Sequence, residues 1–196
     1  MKNYLLFLVL INIFLCKNDV LSAAQKLRPV PWLTEESIIF LEEFFQKNCN
    51  PKILEFGSGA STYWFAKRTS NLVSVEHDKR WFKNVKLTLE SDSEVFSVDY
   101  NLVPRSYHWF CDNFPDDYFD LILVDGRNRK ACLINAVRIL KPGGVLMLDN
   151  AERDYYHPVF SILKDWETTI TVQTKPDSCG FCYKGWTTQW WIKPVN

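Results

Sequence analysis

Glu55-Phe56-Gly57-Ser58-Gly59-Ala60-Ser61-Thr62 is the stretch on which the fold turns. It continues a short apolar run, Ile53 to Phe56, and leads into Thr62 to Arg68, so it reads as strand, glycine turn and helix. Glycine lets a backbone bend sharply and approach a ligand that a Cβ would repel. The helix start offers free N–H groups and a partial positive charge. Nineteen residues past Gly57, Glu76 ends a second strand, Leu72 to Glu76. A carboxylate there is placed to accept both hydroxyls of a ribose. Strand, glycine turn, helix, strand and acid in that order point to an adenosine-type cofactor.

Outward from this stretch the alternation continues. A helix is expected from about Lys79 to Leu89, a third strand over Val95 to Tyr100 and a fourth, wholly apolar strand over Leu121 to Val124. A helix over Ala131 to Leu140 and a fifth strand over Val145 to Leu148 follow. Strands alternating with helices indicate a parallel sheet with right-handed crossovers. Upstream, Gln25 to Trp32 reads as extended, and Thr34 caps a helix to about Lys47 with Ile38, Leu41, Phe44 and Phe45 at helical spacing. Downstream, Thr168 to Thr174 and Trp186 to Lys193 read as an antiparallel pair, with Trp186, Thr188, Trp190 and Ile192 on one face. The fold class expected is α/β: a doubly wound, mostly parallel seven-stranded sheet ending in an antiparallel pair.

The 196 residues make one ordinary domain, and 47% hydrophobic content suffices for a core. Lys+Arg and Asp+Glu both number 23, so charge gives no reason to expect nucleic acid as a partner. The twelve residues Leu5 to Cys16 are too few for an ordinary membrane span but suit the core of a secretory signal, with Ser22, Ala23 and Ala24 as small residues at a cleavage site. Residues 1–24 are therefore read as a signal peptide or short anchor, and 25–196 as the domain. That places the protein in the secretory pathway, periplasmic, secreted or anchored, with the cytoplasm as the alternative. Any membrane contact is expected only through an uncleaved N-terminus. Of six cysteines, Cys179 and Cys182 form a CxxC, read as a loop disulfide if exported and as two thiols if not.

The turn also discriminates between cofactors. A dinucleotide fingerprint wants a third glycine where Thr62 stands. An acid at Glu55 suits a cationic amino-acid moiety better than a diphosphate. Both differences favour S-adenosylmethionine over NAD.

ILEFGSGAST resembles motif I of class I S-adenosylmethionine-dependent methyltransferases, and SVEHD resembles the acidic end of their second strand. FDLILVDG and LKPGGVLMLDN resemble their fourth and fifth strands. The similarity runs from about Lys52 to Lys193. It implies that Glu55, Gly57 and Gly59 hold the methionine part, that Glu76 holds the ribose and that Asp99 lies near the adenine. Ser58 and Thr62 in the same bend are further candidates for cofactor contact, and His77, directly after Glu76, is placed to frame the adenosine pocket.

Asp125 after the fourth strand, and Asp149 and Asn150 after the fifth, form an oxygen-rich set suited to Mg²⁺ or Ca²⁺. That pattern is similar to the metal site of catechol-type O-methyltransferases. A metal held there would lower the pKa of a substrate hydroxyl. The basic stretch Gly126-Arg127-Asn128-Arg129-Lys130 departs from that family. His108 and His157 are secondary candidates for a general base. The leading expectation is methyl transfer to a hydroxyl of a small-molecule or glycan acceptor. The alternatives are an NAD-dependent oxidoreductase and a secreted, non-catalytic binding protein on the same fold.

Overall fold

A computed structural model describes residues 27, 30–175 and 183–195. The leader and the Cys179–Cys182 pair lie outside the described residues. Seven strands form one sheet: β1 (Ile53–Phe56), β2 (Leu72–Glu76), β3 (Asp99–Leu102), β4 (Phe119–Val124), β5 (Leu140–Asp149), β6 (Glu167–Val172) and β7 (Thr187–Ile192). Their order is β3-β2-β1-β4-β5-β7-β6. The first five are parallel, while β7 runs antiparallel to β5 and β6 antiparallel to β7. The expected doubly wound sheet with an antiparallel edge pair is the observed one.

Strand side chains alternate between two cores, as a period of two requires. Ile53, Leu121, Leu123, Val145 and Met147 face helices α1 (Glu35–Lys47) and α2 (Ala60–Ala66), while Leu54, Phe56, Ile122, Val124, Leu146 and Leu148 face the other side with α4 (Arg129–Ile139). Between α2 and α4, α3 (Lys79–Ser91) begins at Asp78, whose side chain accepts from the backbone N–H of Arg80 and Trp81, a fully formed N-cap. Trp190 of β7 stacks on Phe40 of α1 at 4.5 Å.

Two local readings change. The third strand begins at Asp99, not Val95, and Asp99 pairs with Val73 while Leu102 pairs with Glu76. Thr34 precedes α1, but its hydroxyl makes no N-cap bond. It contacts Ser37 Oγ at 2.9 Å and Thr171 Oγ1 at 2.5 Å, and the Thr34 N–H donates to Thr188 Oγ1. The residue thus ties the start of α1 to the antiparallel edge.

Candidate active site

The strand order reverses between β1 and β4, and in such sheets ligands bind beyond the carboxyl ends at that point. Gly57 ends β1 with φ of +94°, and a Cβ on it would lie 2.5 Å from Gly126 Cα, in the loop after β4. The two loops therefore pack backbone to backbone, and Gly57 is demanded twice, by its left-handed conformation and by that approach. Gly59 is different: it is extended at φ 172°, and the nearest atom to an added Cβ is on Trp81 at 3.8 Å.

The acids sit where the pattern placed them, and both are occupied by the protein. Glu55 is fully buried and accepts from the hydroxyls of Ser61, Thr62 and Ser74 at 2.5, 2.5 and 2.6 Å. Burial is the main reason its pKa rises to about 7, against the lowering effect of these hydroxyls. Glu76 faces the bend: it accepts from the N–H and the hydroxyl of Ser58, both at 3.1 Å, and from the N–H groups of His77 and Asp78, both at 2.7 Å. His77 Nδ1 lies 2.8 Å from the same carboxylate without the geometry of a hydrogen bond.

Two N–H groups of the bend just before the helix are in use. Ser58 N–H goes to Glu76, and Gly59 N–H goes to Thr62 Oγ1 at 2.8 Å. Thr62, in place of a third glycine, thus bridges Glu55 and Gly59 and fixes the bend from inside. Asp99 is exposed at the amino end of β3, bonded to Asn101, about 10 Å of strand short of the carboxyl end. It is not beside the bend, and Leu102 holds the position next to Glu76.

Aromatic residues that the motif reading missed wall the bend. Trp81 Nε1 donates to Ser58 O at 2.6 Å, and Tyr100 Oη lies 2.6 Å from Ser58 Oγ while its ring stacks on Phe82. Tyr107 is buried against Phe56, lies 5.9 Å from the His77 ring and donates to Arg127 O. Trp81 could have been found from its place in the first turn of the helix after Glu76. Tyr107 carries no local signal, since it reaches the bend through a 3-10 segment over Tyr107–Asn113.

Asp125 and Asp149 do converge, but around a protein cation. Arg129 Nη2 donates to Asp125 Oδ1 at 2.9 Å and Asp125 O at 2.8 Å, and Nε donates to Gly126 O at 2.8 Å. Nη1 donates to Asp149 O and lies 3.8 Å from Asp149 Oδ2. Asp149 Oδ1 accepts from Trp186 Nε1 at 2.7 Å and Thr188 Oγ1 at 3.1 Å, leaving Oδ2 buried without a hydrogen bond. Burial raises both carboxyl pKa values; the neighbouring Asp125 charge pushes Asp149 further up, and Arg129 opposes the rise in each. Asn150 is the correction to the expected triad: its backbone is left-handed at φ 53° and its amide oxygen accepts from Arg153 at 2.9 Å. Among the described residues no group of three or more His, Cys, Asp or Glu side chains is placed to hold a metal ion. His108 is bonded to Asn128, and the exposed His157 lies near Asp154.

A family model described as a methyltransferase domain matches residues 54–151. The chain belongs to this methyltransferase family. The match begins in β1 and ends just past Asn150, so it spans the bend, Glu76 and the Asp125–Asp149 pair of the methyltransferase domain.

Solved structures share the fold. An O-methyltransferase from Bacillus cereus in complex with SAH is 16% identical, with TM-score 0.63 over 89% of this chain and 88% of that one. The O-methyltransferase TomG from Streptomyces achromogenes, in complex with SAM, is 17% identical, with TM-score 0.56 over 79% and 78%. A tRNA (m1A58) methyltransferase from Aquifex aeolicus is 12% identical, with TM-score 0.58 over 81% and 68%. No curated protein matches the chain in sequence.

Proposed function

We propose that this methyltransferase domain binds S-adenosylmethionine over the Gly57–Gly59 bend and transfers its methyl group to a hydroxyl of a small-molecule or glycan acceptor. The observation that carries the reading is the Glu76–Ser58 contact, which brings an acid from the end of β2 onto the glycine turn of β1. The residues fit the cofactor. Glu76 and the Ser58 hydroxyl offer oxygen partners for ribose hydroxyls, and Trp81, Tyr100 and His77 offer ring faces around the bend. When bound, the cofactor supplies an electrophilic methyl group, so the protein's share is placement and proton handling.

Asp125 is the group assigned to the acceptor's proton. It stands just past the carboxyl end of β4, its side chain is 25% exposed, and burial raises its pKa above the usual carboxylate value against the opposing charge of Arg129. The hydroxyl class is favoured by a carboxylate base in this position and by the two O-methyltransferases among the structural relatives. The apolar Leu5 to Cys16 run supports export and an extracytoplasmic acceptor.

Calorimetry with S-adenosylhomocysteine, and with NAD as control, tests the cofactor. A tritium-methyl transfer assay over hydroxylated small molecules and glycans tests the reaction. Binding of S-adenosylhomocysteine alone is the expected result. Binding of neither ligand would instead mark a non-catalytic protein on this fold.

A further inference from the structure

We propose that Arg129 is the resident cation of this site, occupying the place between Asp125 and Asp149 that a divalent ion takes in metal-assisted relatives of the fold, so that the acceptor is oriented without a metal. The inference rests on the reading of this crevice as the acceptor end of the site. It is carried by the directions of the donors. One guanidinium, 8% exposed, bonds Asp125 Oδ1, three backbone oxygens at the ends of β4 and β5, and lies beside Asp149 Oδ2. Its planar fork can satisfy several oxygens at once, which a lysine ammonium in the same place would not.

Most of the side-chain oxygens that a second cation would need are already engaged. A Mg²⁺ ion demands six near-octahedral oxygens, drawn from protein and water, at about 2.0–2.1 Å. Here one carboxylate oxygen of Asp125 is committed to Arg129, Asp149 Oδ1 to Trp186 and Thr188, and the amide oxygen of Asn150 to Arg153. Asp149 Oδ2 remains as the single buried carboxylate oxygen among these without a hydrogen bond, and it faces the guanidinium at 3.8 Å. A divalent ion beside it would stand against a full positive charge in a poorly solvated place. Arg129 is thus a positioning residue that fixes Asp125 through both its side chain and its carbonyl.

The proposal predicts a gain of metal binding when the guanidinium is removed. Full-length protein is titrated with Mn²⁺ alone, followed by calorimetry, electron paramagnetic resonance and the shift in Tm. Wild type is expected to bind no Mn²⁺ at this pair and to show the same Tm with and without a chelator. Arg129→Ala is expected to melt lower, to bind Mn²⁺ and to recover part of the lost Tm, and adding Asp125→Asn is expected to abolish that binding. Arg129→Gln, which keeps some of the polar contacts, serves if the alanine variant does not fold. Mn²⁺ bound by wild type and lost in Asp125→Asn overturns the proposal, as does a folded Arg129 variant that binds none. S-adenosylhomocysteine calorimetry on the same samples reports separately on the cofactor reading.

Discussion

The Glu76 carboxylate receives both the N–H and the hydroxyl of Ser58, each at 3.1 Å, and so fastens the end of β2 to the turn that ends β1. The same carboxylate accepts two further N–H groups, from His77 and Asp78. Glu76→Ala would leave three backbone donors to find other partners. Hydrogen bonds to a charged group are worth about 1.5–3 kcal/mol each, though water reaching the opened site offsets part of the sum. The variant is expected to lose roughly 2–4 kcal/mol of stability in urea unfolding and its calorimetric affinity for S-adenosylhomocysteine. Unchanged affinity in a folded Glu76→Ala protein would remove Glu76 from the cofactor site.

Gly57 and Gly59 look equivalent in the motif and behave differently in the fold. Gly57 has φ of +94° and meets the backbone of Gly126, whereas Gly59 is extended and an added Cβ would only reach ordinary contact with Trp81 at 3.8 Å. Gly57→Ala is expected to cost about 1–3 kcal/mol from backbone strain alone, and more from the clash. Gly59→Ala is expected to stay within about 0.5–1 kcal/mol of wild type. Thermal melts of the two variants decide this, and equal Tm values would contradict it. Gly57→Val is accordingly a poor probe of cofactor binding, because it disrupts the fold first.

The legible part of this molecule was the part written in local pattern. Apolar runs ending at Phe56, Glu76 and Leu148 gave the strands, and their carboxyl ends gave the candidate site. The third strand was misplaced because Val95, Phe96 and Val98 have strand-like composition, yet the parallel pairing with β2 starts at Asp99. The place of Arg129 between Asp125 and Asp149 was not legible, because charge in a basic run looks like a solvated loop. The signal that would have helped is spacing: Arg129 follows Asp125 by four residues at a helix start, within reach of the strand end it came from. The contacts of Tyr107 and Tyr100 come from tertiary packing, which no local pattern encodes.

Trp186 joins the start of β7 to the carboxyl end of β5 through its indole N–H, which Asp149 Oδ1 accepts at 2.7 Å. Trp186→Phe keeps an aromatic ring, deletes that donor and trims the side chain to a single ring. Asp149 is buried and already has one oxygen without a hydrogen bond, so losing a second partner falls on a group that water does not reach. Destabilisation of about 1–3 kcal/mol is expected in urea unfolding. A midpoint equal to wild type would mean that the indole bond adds nothing to stability.

Glu55 should leave a mark on the pH dependence of stability. Burial raises its pKa from 4.5 to about 7, so between those values the folded chain keeps a proton that the unfolded chain has released. The folded state binding more protons means that stability is greatest below the unfolded pKa and declines as pH rises towards 7, then levels. Glu55→Gln has no proton to lose, and its amide can still meet the hydroxyls of Ser61, Thr62 and Ser74. Asp125 and Asp149, raised in the same direction, contribute to both proteins and largely cancel in the comparison, apart from the repulsion between Asp125 and Glu55, the smallest of the causes acting on Glu55. The difference in unfolding free energy between wild type and Glu55→Gln is therefore expected to change by on the order of 3 kcal/mol across the window, at 1.36 kcal/mol per pKa unit. Urea titrations at a series of pH values measure it, and parallel stability curves for the two proteins would show that Glu55 is ionised throughout.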